Sequence, residues 1–259
     1  MTGNNQKHIF LQPRDLKLLN EVSEMPFADR EQIKLVAGFN SLTRVNTRLL
    51  SLTKAGLLKR VFLGTTGGGP KALYSLSRKG AQLIGVPYRD TRRAHDEILV
   101  TDVFVEHQVC LNSIQIVLRH RPIPIPGVRL VRWQTFKEPL SEKSRITPDA
   151  YFEIESSQGV HPMFLEVDLG TEAMDRWREK VEAYLKLALS GDFDRLFKQP
   201  RFKVLVVTRS ARRSEFIRLT VSKTTDKIFW FSTFEAINRD GFWSAIWLRP
   251  KGDQKQSLL

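Results

Sequence analysis

The chain has one cysteine, Cys110, in 259 residues, so no intramolecular disulfide can form. It lies in an apolar helical run and reads as a small buried hydrophobe in a reducing compartment. No apolar run approaches the roughly 18 residues of a membrane span, and Met1–Lys7 is polar, without the core of a signal peptide. A cytoplasmic protein with no membrane partner is expected. The five histidines lack zinc-ligand spacing. There is no internal repeat and no low-complexity segment, which excludes solenoid arrays and biased linkers.

Acidic residues are also scarce, and their scarcity is uneven. Residues 1–93 hold 16 Lys and Arg against six Asp and Glu, a net of +10, whereas the remainder carries only +3 of the total +13. A basic first third joined to a nearly neutral remainder fits a polyanion-binding module attached to a second domain. A generic basic surface that favours solubility is the plainer alternative. With 41% hydrophobic residues the chain can build two cores.

Residues 1–11 read as a flexible end. Pro13 opens a helix over Arg14–Ser23, a second short helix runs from Asp29 to Val36, and Ser41 caps a third. In the third helix Leu42, Val45, Leu49 and Leu52 form an inward stripe, which turns Thr43, Arg44, Thr47, Arg48 and Ser51 outward. Leu57–Leu63 and Lys71–Leu76 are paired strands around a glycine-rich tip, and Ser77 caps a helix over Arg78–Ile84. Arg48 to Leu58, followed by Tyr74 to Gly80, resembles the recognition helix and wing of DNA-binding winged helices. That resemblance implies base-edge contacts from Thr43, Arg44, Thr47 and Arg48, and phosphate contacts from Lys59, Arg60 and Lys71. A winged helix used for protein contacts is the alternative.

Residues 86–94 read as a basic linker, and 95–250 as a second domain ahead of a disordered tail at 251–259. His95–His120 is broadly apolar helix, on which His95, Asp102 and Glu106 fall near one face. Further on, Ile146–Ile154 and Met163–Asp168 read as strand, turn and strand, followed by a helix. In the second strand a period of two places Phe164, Glu166 and Asp168 together. Two carboxylates thus project from an otherwise apolar strand, where an unpartnered charge costs several kcal/mol. They call for a metal, a cation or solvent. Phe202–Thr208 is apolar throughout, as a strand buried on both faces would be.

Pro148-Asp149, then Glu166-Val167-Asp168, a helix and an apolar strand resemble the PD-(D/E)xK nuclease core. The winged helix followed by His95, Asp102, Ile146–Asp149, Phe164–Asp168 and Lys180–Tyr184 resembles the replication-relaxation family of plasmids and other mobile elements, itself similar to plasmid mobilisation relaxases. The fold class implied is α/β (α+β overall): a winged helix-turn-helix over 12–85, then a restriction-endonuclease-like α/β domain. The resemblance implies an Mg²⁺ or Mn²⁺ held by Asp149, Glu166 and the Val167 carbonyl, with catalytic roles for Asp149, Glu166, Asp168, Lys180, His95 and Asp102. The family pattern departs here in one respect: Asp168 stands where the motif lysine is usual. Lys180 on the following helix could reach back in its place, and Asp168 could ligate metal or cap that helix.

Two functional readings follow. One is a metal-dependent DNA nicking or cleaving enzyme guided by the winged helix. The other is a DNA-binding replication or transcription regulator whose nuclease fold is inactive. Double-stranded DNA is the implied partner in both, with a second copy or other replication and mobilisation proteins as further partners.

Overall fold

The computed structural model describes residues 9–64, 69–88, 98–141 and 145–259. It divides into two compact units, Met1–Arg121 and Pro122–Leu259.

The first unit is built from α1 (Pro13–Glu24), β1 (Ala28–Asp29), α2 (Arg30–Ala37), α3 (Leu42–Lys54), β2 (Leu58–Leu63), β3 (Lys71–Leu76), α4 (Arg78–Ile84) and α5 (Ile98–His120). Asp29 caps α2 by accepting from the Gln32 amide at 2.8 Å, and Ser41 caps α3. β2 and β3 pair antiparallel from Leu58↔Leu76 to Leu63↔Lys71, and β1 adds a third strand, giving the order β1-β3-β2. Leu18, Leu19, Ile33, Val45, Leu49 and Leu52 meet in the core at 0% exposure. Gly80 lets α4 lie against the hairpin, because a Cβ there would stand 2.2 Å from the Leu57 carbonyl oxygen.

The division between units falls later than the basic stretch at 86–94. The α5 helix groups with the first unit rather than with the following domain, and its side chains show why. Val105 and Val109 join Phe27, Leu63 and Leu73 in a second apolar cluster. Gln32 Nε2 donates to the Val109 carbonyl at 2.7 Å, and Asn112 Nδ2 to the Phe27 carbonyl at 2.6 Å. Residues 89–94 of the expected linker lie outside the described residues.

In the second unit the elements are β4 (Arg129–Thr135), β5 (Ala150–Ser156), β6 (Gly159–Asp168), α6 (Met174–Leu189), α7 (Asp192–Phe197), β7 (Lys203–Thr208), α8 (Ala211–Ser222), β8 (Phe229–Thr233) and α9 (Phe234–Asp240). They form a mixed five-stranded sheet in sequence order, with β4, β5 and β6 antiparallel and β6, β7 and β8 parallel. The crossover helices α6 and α8 pack together on one face of the parallel half, and β7 is buried on both faces. One face carries an aromatic core of Tyr151, Phe164, Trp177, Tyr184, Phe193, Phe197 and Phe229 among others. The segment Lys251–Leu259, expected to be disordered, instead folds back. Gln256 and Trp247 exchange backbone hydrogen bonds at 2.9 and 3.1 Å, and Leu258 is buried. An apolar side chain among polar neighbours is what holds it there.

Candidate functional site

Along α3, the expected outward residues do not share one fate. Thr43, Arg44 and Thr47 are exposed, and Arg44 makes no ion pair among the described residues. Arg48 turns the other way. Its Nε donates to Asp15 Oδ1 at 2.5 Å, its Nη2 to Asp15 Oδ2, and the same Nη2 to the Phe10 carbonyl at 2.8 Å. Asp15 is 1% exposed, so this two-pronged pair ties α3 to α1. The hydrogen bonds that Arg48 donates to Asp15 hold the Arg48 pKa above its ordinary value, against the burial that lowers it. On the hairpin, Lys71 Nζ lies 2.5 Å from Asp29 Oδ2, and Lys59 Nζ sits 5.0 Å over the Tyr88 ring with its hydrogen bond to that hydroxyl. Arg60 is exposed and packs 5.2 Å from the Phe62 ring centroid.

In the second unit the acids gather where β5 and β6 part. The ladder ends at Ala150↔Leu165. Continued one for one, it would bring Pro148 opposite Val167, and proline has no N–H to offer. That missing N–H concerns the Val167 carbonyl, whereas the Val167 amide is taken by a side chain, Asp149 Oδ2 accepting it at 2.7 Å. Asp149 is thereby set beside Glu166 on the neighbouring strand.

Glu166 is 1% exposed. Its Oε2 accepts from Lys180 Nζ at 2.9 Å, and its Oε1 from the Tyr184 hydroxyl at 2.5 Å. Both donors come from α6, four residues and so one turn apart, which aims them at one point on the sheet. Lys180 also reaches Glu172 Oε2 at 2.8 Å. Burial pushes the Glu166 pKa up to about 7, with Asp149 adding to the rise and Lys180 and Tyr184 opposing it. For Lys180 burial acts to lower the pKa, yet Glu166, Glu172 and Asp149 together hold it above the ordinary range. Tyr184 is kept neutral by burial first and by the Glu166 charge second.

Asp168, also on this face, is fully engaged. Arg213 grips it bidentately at 2.7 Å on each oxygen, Trp177 Nε1 donates to Oδ2 at 2.8 Å, and the Gly170 amide to Oδ1 at 2.7 Å. Burial works to raise its pKa, but these donors outweigh it and the net shift is downward. Arg213 Nη2 further donates to the Glu172 carbonyl at 2.5 Å, anchoring the turn before α6. Asp168 is thus the fixed end of a strand-to-helix brace.

The structure therefore brings Asp149, Glu166 and Lys180 together and gives Asp168 a separate partner. Asp102 lies on α5 in the first unit, and His95 falls outside the described residues. Tyr151 is a core residue: its hydroxyl donates to Glu153 Oε1 at 2.6 Å, and burial, then that bond, raises its pKa. Glu172 and Arg213 escaped the sequence reading. A signal for Arg213 exists, since α8 starts where β7 ends, and β7 runs parallel to β6. Cations in its first turn must stand near the end of β6.

No group of three or more His, Cys, Asp or Glu side chains able to hold a metal occurs among the described residues. The donors at the fork are two carboxylates and the Val167 carbonyl, all hard oxygen atoms of the kind that Mg²⁺ and Mn²⁺ take. The like charges of Asp149 and Glu166, one of which raises the other's pKa, are what a bound cation would relieve. The set fits such an ion.

Among the described residues no helix is long and apolar enough to cross a membrane. No curated protein and no solved structure matches the chain. The family model described as replication-relaxation matches residues 19–198, a span that runs from α1 through the whole Asp149–Glu166–Lys180 grouping. The chain belongs to the replication-relaxation family.

Proposed function

We propose that this protein acts on the DNA of a plasmid or other mobile element in replication or DNA relaxation, binding duplex DNA through its first unit and nicking or cleaving it with the second. The observation that carries this reading is the meeting of Asp149, Glu166 and Lys180 where β5 and β6 separate. The first unit supports it with the helix-strand order of a winged helix and with Arg44 and Arg60 exposed on α3 and the hairpin. In the major groove Thr43, Arg44 and Thr47 would face base edges, while Arg60 would meet phosphate.

At the second site Asp149, Glu166 and the Val167 carbonyl would hold Mg²⁺ or Mn²⁺. Such an ion lowers the pKa of bound water and offsets charge on a phosphodiester. Lys180, kept protonated by three surrounding acids, places a fixed positive charge beside Glu166 and can donate to a phosphate oxygen. Tyr184 holds the other oxygen of Glu166 and fixes its rotamer. Asp168 and Arg213 position the start of α6 and through it Lys180.

The test is supercoiled-plasmid cleavage by the pure protein in Mg²⁺ or Mn²⁺, beside Glu166→Ala and an EDTA control. Nicked or linear circles should form and be lost by at least a hundredfold in both controls. A second reading, a DNA-binding regulator with an inactive nuclease fold, draws on the closed ring of Lys180 and Tyr184 around Glu166. Intact plasmid together with a salt-sensitive, chelator-insensitive gel shift would make it the correct one.

A further inference from the structure

A cavity of about 400 Å³ opens on the second unit beside the C-terminal half of β4 and the end of α7. Small-ligand pockets run from roughly 300 to 1,000 Å³, so this one suits a single ring system with its substituents. Phe136 and Phe197 supply its apolar wall, Arg132, Gln134 and Lys137 its donors, and Glu138 the acid of its lining.

Its position on the sheet links it to the acids. Gln134 pairs with Tyr151 and Arg132 with Glu153, and directly opposed residues of an antiparallel pair share a face. Tyr151 in turn pairs with Phe164, the residue two before Glu166. By alternation Asp149, Gln134 and Glu166 lie on one side of the sheet. Gln134 stands one strand across from Tyr151, about 5 Å, and Tyr151 two residues along from Asp149, about 7 Å.

The chemistry of the lining is that of a base-stacking seat with a phosphate rim. The Arg132 guanidinium lies 5.3 Å from the Tyr151 ring centroid and 5.5 Å from that of Phe197, held by Gln134 Oε1 at 3.0 Å. It presents a flat cationic surface that keeps 40% of its side-chain exposure. Flat faces of arginine and aromatic rings take any nucleobase, and lysine at an exposed rim takes phosphate. Arg132 also pairs with Glu153 at 3.5 Å, so the charge offered to an anion at the rim is that of the exposed Lys137.

We propose that this cavity seats one unpaired nucleotide of the DNA strand whose phosphate lies at Asp149 and Glu166. The inference rests on the reading of the chain as a DNA-acting protein, and on the second unit as the part that meets the opened strand. It makes the protein a reader of locally melted rather than fully paired DNA at that unit.

The test uses the full chain and a short single-stranded oligonucleotide carrying 5-iododeoxyuridine, irradiated and mapped by peptide mass spectrometry. Crosslinks should fall within residues 132–140 or at 196–197, and the surface variants Gln134→Ala and Lys137→Glu together should lower their yield at least fivefold. Their duplex gel shift and their melting temperature should match the parent's. Crosslinks confined to the first unit, or an unchanged yield in the double variant, would overturn the assignment. Loss of the crosslink to an equal concentration of free thymidine monophosphate would assign the cavity to a free nucleotide and overturn it likewise. Crosslinking that survives in a protein unable to cut plasmid would leave the seat standing while the cleavage reading fails.

Discussion

Glu166 and Asp168 stand two residues apart on one face of β6, at 1% and 2% exposure, and burial acts on both in the same direction. Their pKa values nevertheless move oppositely, Glu166 up to about 7 and Asp168 below its ordinary range. The difference lies in the donors. Asp168 accepts a two-pronged guanidinium, an indole N–H and a backbone amide, all from fixed positions. Glu166 has one ammonium, shared with Glu172, one hydroxyl, and a like charge nearby. Depth of burial does not by itself set the charge of an acid; the number and kind of its partners does.

The largest effect that could break this comparison is in stability. Arg213→Ala leaves Asp168 as a buried charge without its cation, and should cost about 3–5 kcal/mol in urea unfolding. Glu166→Gln should cost less than about 1 kcal/mol, because Lys180 keeps Glu172 as a partner and the neutral amide is easier to bury. Equal losses in the two variants would erase the distinction.

A similar contrast divides Arg48 from Arg44. Arg48→Ala strands Asp15 in the core and should lower stability by about 2–4 kcal/mol. Arg44→Ala should leave melting unchanged within about 0.5 kcal/mol and weaken binding to a specific duplex by about 1–3 kcal/mol. Arg48→Ala protein that melts like the parent but fails to bind DNA would return Arg48 to the groove.

The smallest effect concerns pH. Burial, then Lys203, holds the His161 pKa below its ordinary 6.5, so the unfolded chain takes up more protons and stability falls as pH drops through that value. Glu166 works in the opposite sense. Its folded pKa of about 7 exceeds the 4.5 of an unfolded glutamate, so the folded form keeps a proton that the unfolded chain has released, and stability falls as pH rises from 4.5 to about 7. Burial holds the His120 pKa down as well, so His161→Asn and His120→Asn together should uncover a downward trend across that window, read by thermal melts at several pH values. A flat profile would place Glu166 with Asp168 as an ordinary ionised acid.

Where the controlling interactions are local, the sequence was legible. Period two marked β5 and β6, helical spacing marked α6, and Lys180 reaches Glu166 over only 14 residues. Ser41, Ser77 and Asp29 announced their helices by capping chemistry. What escaped depends on distant partners. Arg48 lies on the flank of its helix, and nothing within 30 residues says that Asp15 will claim it. Arg213 meets Asp168 across 45 residues of chain. The uniform apolarity of α5 carried no directional cue, so its packing against Phe27 and Leu73 was invisible. The short α7 and α9 have too few turns to show a period.

The bond from the Val167 amide to Asp149 has a further consequence for how the two strands find each other. Pro148 cannot donate across to β6, and the Asp149 carboxylate can take the Val167 amide from one alignment only. A slip of a single residue would turn every side chain of β5 to the wrong side and leave that amide unanswered. The acid at the fork is thus also a stop that sets the reading frame between the strands, and its loss would show as mispairing during folding.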